Sequence, residues 1–325
     1  MSRIQKYKES LHKFIKDKSC LLEDGDTVEG VYVHNQIKDN DLIFPILLLT
    51  IINNQNKKNH ISMQGYYIAS CIEFLNMSLT VIDTKPTITT KFTPDIYAKM
   101  YNNLFYCANK SLQQNLDSIK NAYQTQYQSL VTIIINSLSL YNNTIKTINS
   151  FTDFKIVVTS KGCNNDVANW YIKTNKELME KFKTLKQVTR ESLQEYIEKR
   201  YISLSELAIT LGWVIGNGDI KHVSKLKKSA KYFAIMYKLS KDFENLNSDI
   251  KQSTEYTTNY VLNYGLQDGY EVFLNNKQKF IEESMVDDIY TNTIKEIIDT
   301  IEANVDMIID QTSPDLKSSY SSKNI

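Results

Sequence analysis

The amino-acid sequence predicts an all-α protein, and three observations support this fold class. Only 9 Gly and 4 Pro occur among 325 residues, which is too few for the many tight turns of a β-sandwich or a propeller. Apolar residues recur at helical spacing, for example at Leu130, Ile133 and Leu138. Because no Gly/Pro-rich linker and no internal repeat interrupts the chain, we expect one large helical domain.

The first third of the chain contains three predicted helices. We expect a polar amphipathic helix at residues 1–18 and a loop at residues 23–41. The apolar run that follows predicts a buried helix at 43–54, with Pro45 in its first turn, where proline is tolerated. Residues 63–82 are mostly apolar, so we expect that helix to lie at the centre of the fold.

Longer helical patterns fill the rest of the chain. A helical stretch is predicted at 93–149, followed by a break at 150–165 that contains a short extended piece at 154–158. Further helices are expected at residues 166–187, 190–215, 221–248, 253–275 and 279–310. The domain boundaries predicted from these patterns are an N-terminal helix at 1–22, a helical domain at 23–311 and a disordered tail at 312–325.

The charged residues exclude some classes of partner. Lys+Arg number 38 and Asp+Glu number 37, so the net charge of +1 argues against a nucleic-acid-binding protein that works by bulk charge. The arginines are Arg3, Arg190 and Arg200. Arginine normally forms planar clamps on phosphate groups, so this chain has few residues suited to them. The abundance of Lys, Asn, Ile and Tyr is typical of an AT-rich genome, such as that of a protist or a large DNA virus.

The cysteines and the apolar segments predict an intracellular protein. The cysteines are Cys20, Cys71, Cys107 and Cys163. They show neither a CxxC pair nor metal-ligand spacing, so we expect free thiols in a reducing compartment, the cytoplasm. The polar N-terminus does not resemble a secretory signal. Because the longest apolar run, at 42–52, is too short to cross a bilayer, we expect no transmembrane segment.

Short segments along the chain resemble, in the same order, the motifs of the trans-type polyprenyl (isoprenyl) diphosphate synthases. The matching segments are residues 44–49 (FPILLL), 65–83, 85–87 (KPT), 162–166 (GCNND), 199–200 (KR), 237–245 (YKLSKDFEN) and 259–261 (NYV). This resemblance implies an isoprenoid-synthase-type fold, a single-domain all-α helical bundle around a central cavity. It also implies a homodimer, or a heterodimer with a related subunit.

The acidic residues that the resemblance implies as metal ligands are depleted. In this family, two Asp-rich motifs on facing helices hold Mg²⁺, a cation that prefers carboxylate and phosphate oxygens. At the first position only Asp83 remains. At the second position Lys241 replaces the first aspartate, and Asp242 and Glu244 are the acids that remain. The resemblance therefore implies Asp83, Asp242 and Glu244 as vestigial metal ligands.

The residues that would bind a diphosphate group are depleted as well. Phe44 stands where an arginine of the family would be, and Cys163 replaces the glutamine of the Gly-Gln-x-x-Asp signature. Three lysines remain as candidates for diphosphate binding, namely Lys85, Lys199 and Lys238.

These losses favour a polyprenyl-synthase-like protein that does not catalyse a reaction and is a structural or regulatory partner, without a cofactor. The alternative is an active isoprenyl diphosphate synthase or terpene-synthase-like enzyme with an atypical Mg²⁺ site. A third hypothesis is that the resemblance is fortuitous and that the chain is a helical interaction protein.

Overall fold

The all-α prediction is confirmed by the computed structural model, which describes residues 2–18, 27–83, 92–123 and 127–312. Within these ranges the chain is helical apart from turns and one two-stranded sheet. The backbone contacts divide the chain into two compact units. The first unit comprises residues 1–152, 203–227 and 287–294, and the second comprises residues 153–202, 228–286 and 295–325. The domain boundaries predicted above remain predictions, and residues 313–325 of the predicted tail lie outside the described residues.

The first unit is built mainly from seven helices. They are α1 (Arg3–Lys18), α2 (Val28–Asp39), α3 (Ile43–Asn59), α4 (Tyr66–Asp83), α5 (Pro94–Ala122), α6 (Tyr127–Thr152) and α10 (Ser203–Ile215). The helices α3 and α4 form its core, as their apolar sequences predict, and most of their residues are buried. Helix α10 packs closely on α3 at Gly212, which has no Cβ atom. A Cβ atom at this residue would lie only 3.0 Å from the carbonyl oxygen of Leu48.

Helix α2 corrects the predicted loop at 23–41 over residues 28–39, while residues 23–26 lie outside the described residues. Its N-terminus is capped by Thr27, whose hydroxyl accepts a hydrogen bond of 3.0 Å from the backbone N–H of Gly30. Val33 and Ile37 lie one turn apart on its buried face. Two buried apolar side chains separated by polar residues are enough to hold this helix in place, although they are too few to stand out as a periodic pattern.

The predicted stretch 93–149 forms two helices rather than one. Helix α5 ends at Ala122 and α6 begins at Tyr127, with residues 124–126 outside the described residues. The buried Tyr123 hydroxyl donates a hydrogen bond of 2.5 Å to the carbonyl oxygen of Ile215 in α10. This bond fixes the end of α5 against α10.

The second unit contains shorter elements. They are β1 (Val158–Gly162), α7 (Asn165–Trp170), α8 (Lys176–Lys183), β2 (Lys186–Val188), α9 (Arg190–Ile197), a π-helical turn (Glu198–Ile202), α12 (Leu246–Gln252), α13 (Tyr260–Tyr264) and α14 (Leu266–Val286). Strands β1 and β2 pair antiparallel, with Val158 opposite Val188. The helix predicted at 166–187 is wrong, because Asn164 and Asn175 each cap a separate short helix and the chain then turns into β2.

Two longer helices contribute residues to both units. Helix α11 (Val223–Glu244) follows a 3₁₀ turn at Ile220–His222, and α15 (Asn292–Thr312) is the last described helix. The predicted helices at 221–248, 253–275 and 279–310 are therefore correct in type but wrong in their boundaries. Helix α14 continues to Val286, and the chain turns through Asp288, which has a φ of 55°.

Two further sequence predictions concern the thiols and the membrane. The described cysteines, Cys71, Cys107 and Cys163, are buried and form no disulfide. Burial raises the pKa of the Cys71 and Cys163 thiols, so both stay protonated at neutral pH. Over the described ranges, the helices all lack a stretch that is both long and apolar enough to cross a membrane.

Candidate functional site

The second acidic position lies on helix α11 and contains a buried ion pair. Lys238 and Asp242 are four residues apart, so their side chains project from the same face of the helix. The Lys238 ammonium donates a hydrogen bond to Asp242 Oδ1. Only 4% of the surface of Lys238 and 2% of that of Asp242 are exposed. The surviving aspartate is therefore neutralised by a lysine of its own helix.

The second oxygen of Asp242 is also occupied. Asp242 Oδ2 accepts a hydrogen bond of 2.9 Å from the backbone N–H of Tyr260, at the start of α13. The Asn259 side chain donates a hydrogen bond of 2.8 Å to the carbonyl oxygen of Asp242 and one of 2.7 Å to the Asp249 carboxylate. The Lys238 ammonium donates in addition to the carbonyl oxygen of Thr258, at 3.1 Å. The network thus joins α11, α12 and the start of α13.

Burial and charge act in opposite directions on the two ionisable groups of this pair. Burial raises the pKa of the Asp242 carboxyl to about 6, although the Lys238 ammonium acts to lower it. Burial would lower the pKa of Lys238, but the charge and hydrogen bond of Asp242, together with Tyr201 and Asp249, outweigh it, so this pKa lies above its ordinary value. At neutral pH the pair is therefore an ammonium and a carboxylate.

Aromatic rings complete the surroundings of the lysine. The Lys238 ammonium lies 5.8 Å from the ring centre of Tyr196 and 5.6 Å from that of Tyr201. Both distances are within the range of a cation–π interaction, which is stronger in a desolvated site. Lys238 therefore has a carboxylate, a carbonyl oxygen and two aromatic faces as partners.

Lys241 and Glu244 form a second, more exposed pair on the same helix. The Lys241 ammonium donates a hydrogen bond of 2.8 Å to Glu244 Oε2 and lies 5.5 Å from the ring centre of Tyr237. Asn304 donates a hydrogen bond of 3.2 Å to the other oxygen of Glu244. The predicted ligands Asp242 and Glu244 thus lie on one helix, and each is paired with its own lysine.

Lys199, a candidate for diphosphate binding, lies in the π-helical turn. Its ammonium is 2.9 Å from the Glu195 carboxylate and 5.1 Å from the ring centre of Phe154. The side chain is half-buried. Its charge is therefore also directed at an acid of the same helical segment.

The first acidic position belongs to the first unit. Asp83 is the last residue of α4 and is half-buried. Burial, Tyr101 and Asp83 together raise the pKa of the Tyr97 phenol in α5 to about 12. Asp83 therefore faces α5, close enough to Tyr97 for its charge to act on the phenol. The candidate Lys85 lies outside the described residues.

Glu73 is a second acid of α4, and it is fully buried. Asn40 donates a hydrogen bond of 2.6 Å to Glu73 Oε1, and Asn76 lies at 3.4 Å from Oε2. Asn40 follows the end of α2, so this bond ties α2 to α4. The Glu73 carboxylate is therefore shielded from solvent and contacts side chains of the protein.

Residues 162–166 also make structural contacts. The Asn164 side chain donates a hydrogen bond of 2.8 Å to the carbonyl oxygen of Tyr264. It accepts one of 3.0 Å from the backbone N–H of Asp166. Gly265, with a φ of 104°, faces them, and a Cβ atom at this residue would lie 2.4 Å from Asp166 Oδ2. This segment fixes α7 against the α13–α14 turn.

Sequence analysis missed Asp249, Asn259 and the backbone of Tyr260 as members of the α11 network. The i, i+4 spacing of Lys238 and Asp242 was a usable signal for their pairing. The contacts made by Asn259 join residues distant in sequence and left no such signal. Within the described ranges, groups of three or more His, Cys, Asp or Glu side chains arranged to hold a metal ion are absent.

The fold is shared with known prenyltransferases. No family model and no curated protein matches this chain. Among solved structures, it is similar to a geranyltranstransferase from Thermotoga maritima, with a TM-score of 0.62, 12% identity, 95% of this chain covered and 100% of that one. It is also similar to an FPP/GFPP synthase from Zymomonas mobilis, with a TM-score of 0.57, 10% identity, 87% of this chain covered and 91% of that one. A third similar structure is a geranylgeranyl pyrophosphate synthetase from the archaeon Geoglobus acetivorans, with a TM-score of 0.53, 12% identity, 96% of this chain covered and 93% of that one. The fold implied by the sequence resemblance is confirmed.

Proposed function

We propose that this chain is a polyprenyl-synthase-like protein that does not catalyse prenyl transfer and is a structural or regulatory partner. The observation that supports the proposal is the occupation of both Asp242 oxygens, by the Lys238 ammonium and by the Tyr260 N–H. A carboxylate that binds Mg²⁺ must offer an oxygen to the cation. Each Asp242 oxygen already accepts a hydrogen bond within the protein, so a cation would have to compete with the Lys238 ammonium for this carboxylate.

The described acids do not fit the Mg²⁺ site that the fold family implies. Two unit charges 4 Å apart repel by about 4 kcal/mol at an effective dielectric constant of 20, and a divalent ion doubles this value. A cation bound at Asp242 would meet the buried Lys238 ammonium in this way. Lys241, at the position of the first aspartate, adds a second positive charge on the same helix.

The lysines that could bind a diphosphate are similarly engaged. Lys238 is buried against Asp242, and Lys199 is paired with Glu195. A diphosphate group would have to compete with these carboxylates. The loss of basic ligands therefore parallels the loss of acidic ones, as expected if the site no longer binds a metal-diphosphate substrate.

Chain elongation tests the proposal directly. The purified protein is incubated with Mg²⁺, isopentenyl diphosphate and an allylic diphosphate, beside an active synthase as a positive control. We expect no elongated product. Product that requires this chain, and that Asp242→Ala abolishes, would instead establish the alternative, an active synthase with an atypical Mg²⁺ site.

A homodimer, or a heterodimer with a related subunit, is part of the proposal. Helix α6 carries three exposed apolar side chains at i, i+4 and i+7, which are Val131, Ile135 and Leu138, and they are 39%, 60% and 39% exposed. An apolar stripe on a helix surface is suited to self-complementary pairing about a two-fold axis. Light scattering should give twice the monomer mass, and Ile135→Glu should shift it toward the monomer. A monomeric wild type would restrict the proposal to a heterodimer.

The proposed location is the reducing interior of the cell. Its support is that Cys71, Cys107 and Cys163, the cysteines that the structure describes, are buried and form no disulfide. Microscopy of the tagged chain in its own host would test this location.

A further inference from the structure

Helices α1 and α2 line an open cavity of about 900 Å³ in the first unit. A hydrogen bond joins the two helices: the Nε2–H of His12 in α1 donates to the carbonyl oxygen of Ile37 in α2, at 3.1 Å. Cavities of roughly 300–1,000 Å³ are the size that takes up drug-sized ligands. The space therefore exceeds what a bare inorganic ion needs.

The charged groups around the cavity are mostly cationic. Lys13, Lys16 and Lys38 line it, with Asp17 as the acid on the same wall. Within the described ranges these three lysines form no ion pair. Their charges are thus available to a ligand, unlike those of Lys199 and Lys238 in the other unit.

Helix α1 strengthens this local field. It contains six basic and two acidic residues, whereas the whole chain has a net charge of +1. The net charge of α1 is therefore +4, six basic residues minus two acidic ones, whereas α2 carries Lys38 against Glu29 and Asp39. A concentrated charge of one sign beside a concave surface attracts ligands of the opposite sign.

The remaining lining is neutral or apolar. Burial lowers the pKa of both lining imidazoles, His12 and His34, so they are neutral at pH 7 and serve as hydrogen-bonding groups. Ile15, Ile37 and Val31 also line the cavity; Val31 is 48% exposed, whereas Ile15 and Ile37 are buried. A ligand here would therefore meet the exposed lysines and the exposed Val31 side chain.

We propose that this cavity binds a small amphipathic anion, whose phosphate or carboxylate headgroup contacts Lys13, Lys16 and Lys38 while its apolar body packs on Val31. An acid without an apolar part would leave Val31 in water, and an apolar molecule without a headgroup would leave the lysines unused. The proposal does not depend on the absence of catalysis.

Calorimetric titration with lysophosphatidic acid below its micelle concentration tests the proposal. We expect saturable binding of one molecule per chain, with inorganic phosphate and lysophosphatidylcholine binding about tenfold more weakly or worse. The double variant Lys13→Gln, Lys16→Gln should lose about tenfold or more in affinity. The control Arg3→Gln, Lys6→Gln removes the same charge from α1 outside the cavity and should retain wild-type affinity.

Two further measurements test the source of the ligand and the role of Val31. Val31→Asp should weaken lysophosphatidic acid binding about tenfold, because it places a carboxylate against the apolar body. Sedimentation with phosphatidylserine vesicles reports on bilayer lipid. No saturable binding, equal effects of the two lysine doubles, or association with vesicles alone would overturn the proposal; circular dichroism verifies that all variants fold.

Discussion

The ends of α4 and α11 carry one surviving acid each, but the two acids lie in different environments. Asp83 is half-buried at the last residue of α4, where it acts on the Tyr97 phenol. Asp242 is almost completely buried and is a member of a network that joins three helices. Two acids at the ends of long helices can thus differ in role, and we expect Asp242 to contribute to stability in a way that Asp83 does not.

Removal of the carboxylate at Asp242 should give the largest effect. In the variant Asp242→Asn, one carboxylate oxygen becomes an NH2 group that cannot accept a hydrogen bond, so either the Lys238 ammonium or the Tyr260 N–H loses its acceptor. A buried donor left without an acceptor costs about 1–3 kcal/mol, and about 3 kcal/mol or more if the donor is charged. Asp83→Asn, the matched change at the other position, should alter the free energy of unfolding by less than about 1 kcal/mol. Urea denaturation measures both values, and equal losses would contradict the contrast between the two acids.

Gly265→Ala should give the next largest effect. Its φ of 104° disfavours a side chain, and the added Cβ atom would lie 2.4 Å from Asp166 Oδ2. We expect a loss of about 1–3 kcal/mol in the free energy of unfolding. Gly162→Ala, where the nearest atom to the new Cβ is 3.8 Å away, is the control and should change stability by less than about 0.5 kcal/mol.

The stability of the wild type should respond to pH through Asp242. Its folded-state pKa of about 6 lies above the ordinary value of 3.8, so the folded protein binds this proton more tightly than the unfolded chain. The stabilisation is fully present below about pH 3.8 and is lost as the pH rises through about 6. Relative to the double variant Lys238→Met, Asp242→Leu, the wild type should therefore gain about 1–3 kcal/mol from pH 7 to pH 4. A constant difference would refute the raised pKa.

The same double variant tests whether the pair itself is required for folding. Replacing both members of a buried ion pair by apolar side chains of similar size is often neutral or stabilising. We expect the double variant to unfold at pH 7 within about 1 kcal/mol of the wild type, in contrast to Asp242→Asn. If it is as unstable as Asp242→Asn, hydrogen bonds to Tyr260 and Thr258, rather than charge balance, hold the network.

Glu244→Gln should have the smallest effect. The Lys241–Glu244 pair is partly exposed, and pairs of this kind contribute about 0–1 kcal/mol. The same variant should leave any affinity for Mg²⁺ unchanged. A loss of Mg²⁺ binding in this variant would place Glu244 among working ligands.

The sequence was most informative where its helices are long and apolar. The buried helices α3 and α4 follow from their composition, and the resemblance to the synthases implied the correct fold. Helix α2 was missed because only Val33 and Ile37 mark its buried face. Boundaries within 253–310 were wrong because the turn at Asp288 contains neither Gly nor Pro, and its left-handed φ has no signature in the sequence.

The site was harder to derive than the fold. The loss of acids at both motif positions could be read directly, and the spacing of Lys238 and Asp242 permitted a pair. Its burial depends on Tyr196, Tyr201 and Asn259, which come from distant parts of the chain. Tertiary contacts of this kind cannot be read from local spacing.

Calorimetric titration of Mg²⁺ and inorganic pyrophosphate into the wild-type protein is the most direct test of the claim that Asp242 is engaged within the protein. We expect no saturable binding of Mg²⁺ and pyrophosphate, in the wild type as in Asp242→Asn. Saturable binding of Mg²⁺ and pyrophosphate by the wild type that Asp242→Asn abolishes would contradict it.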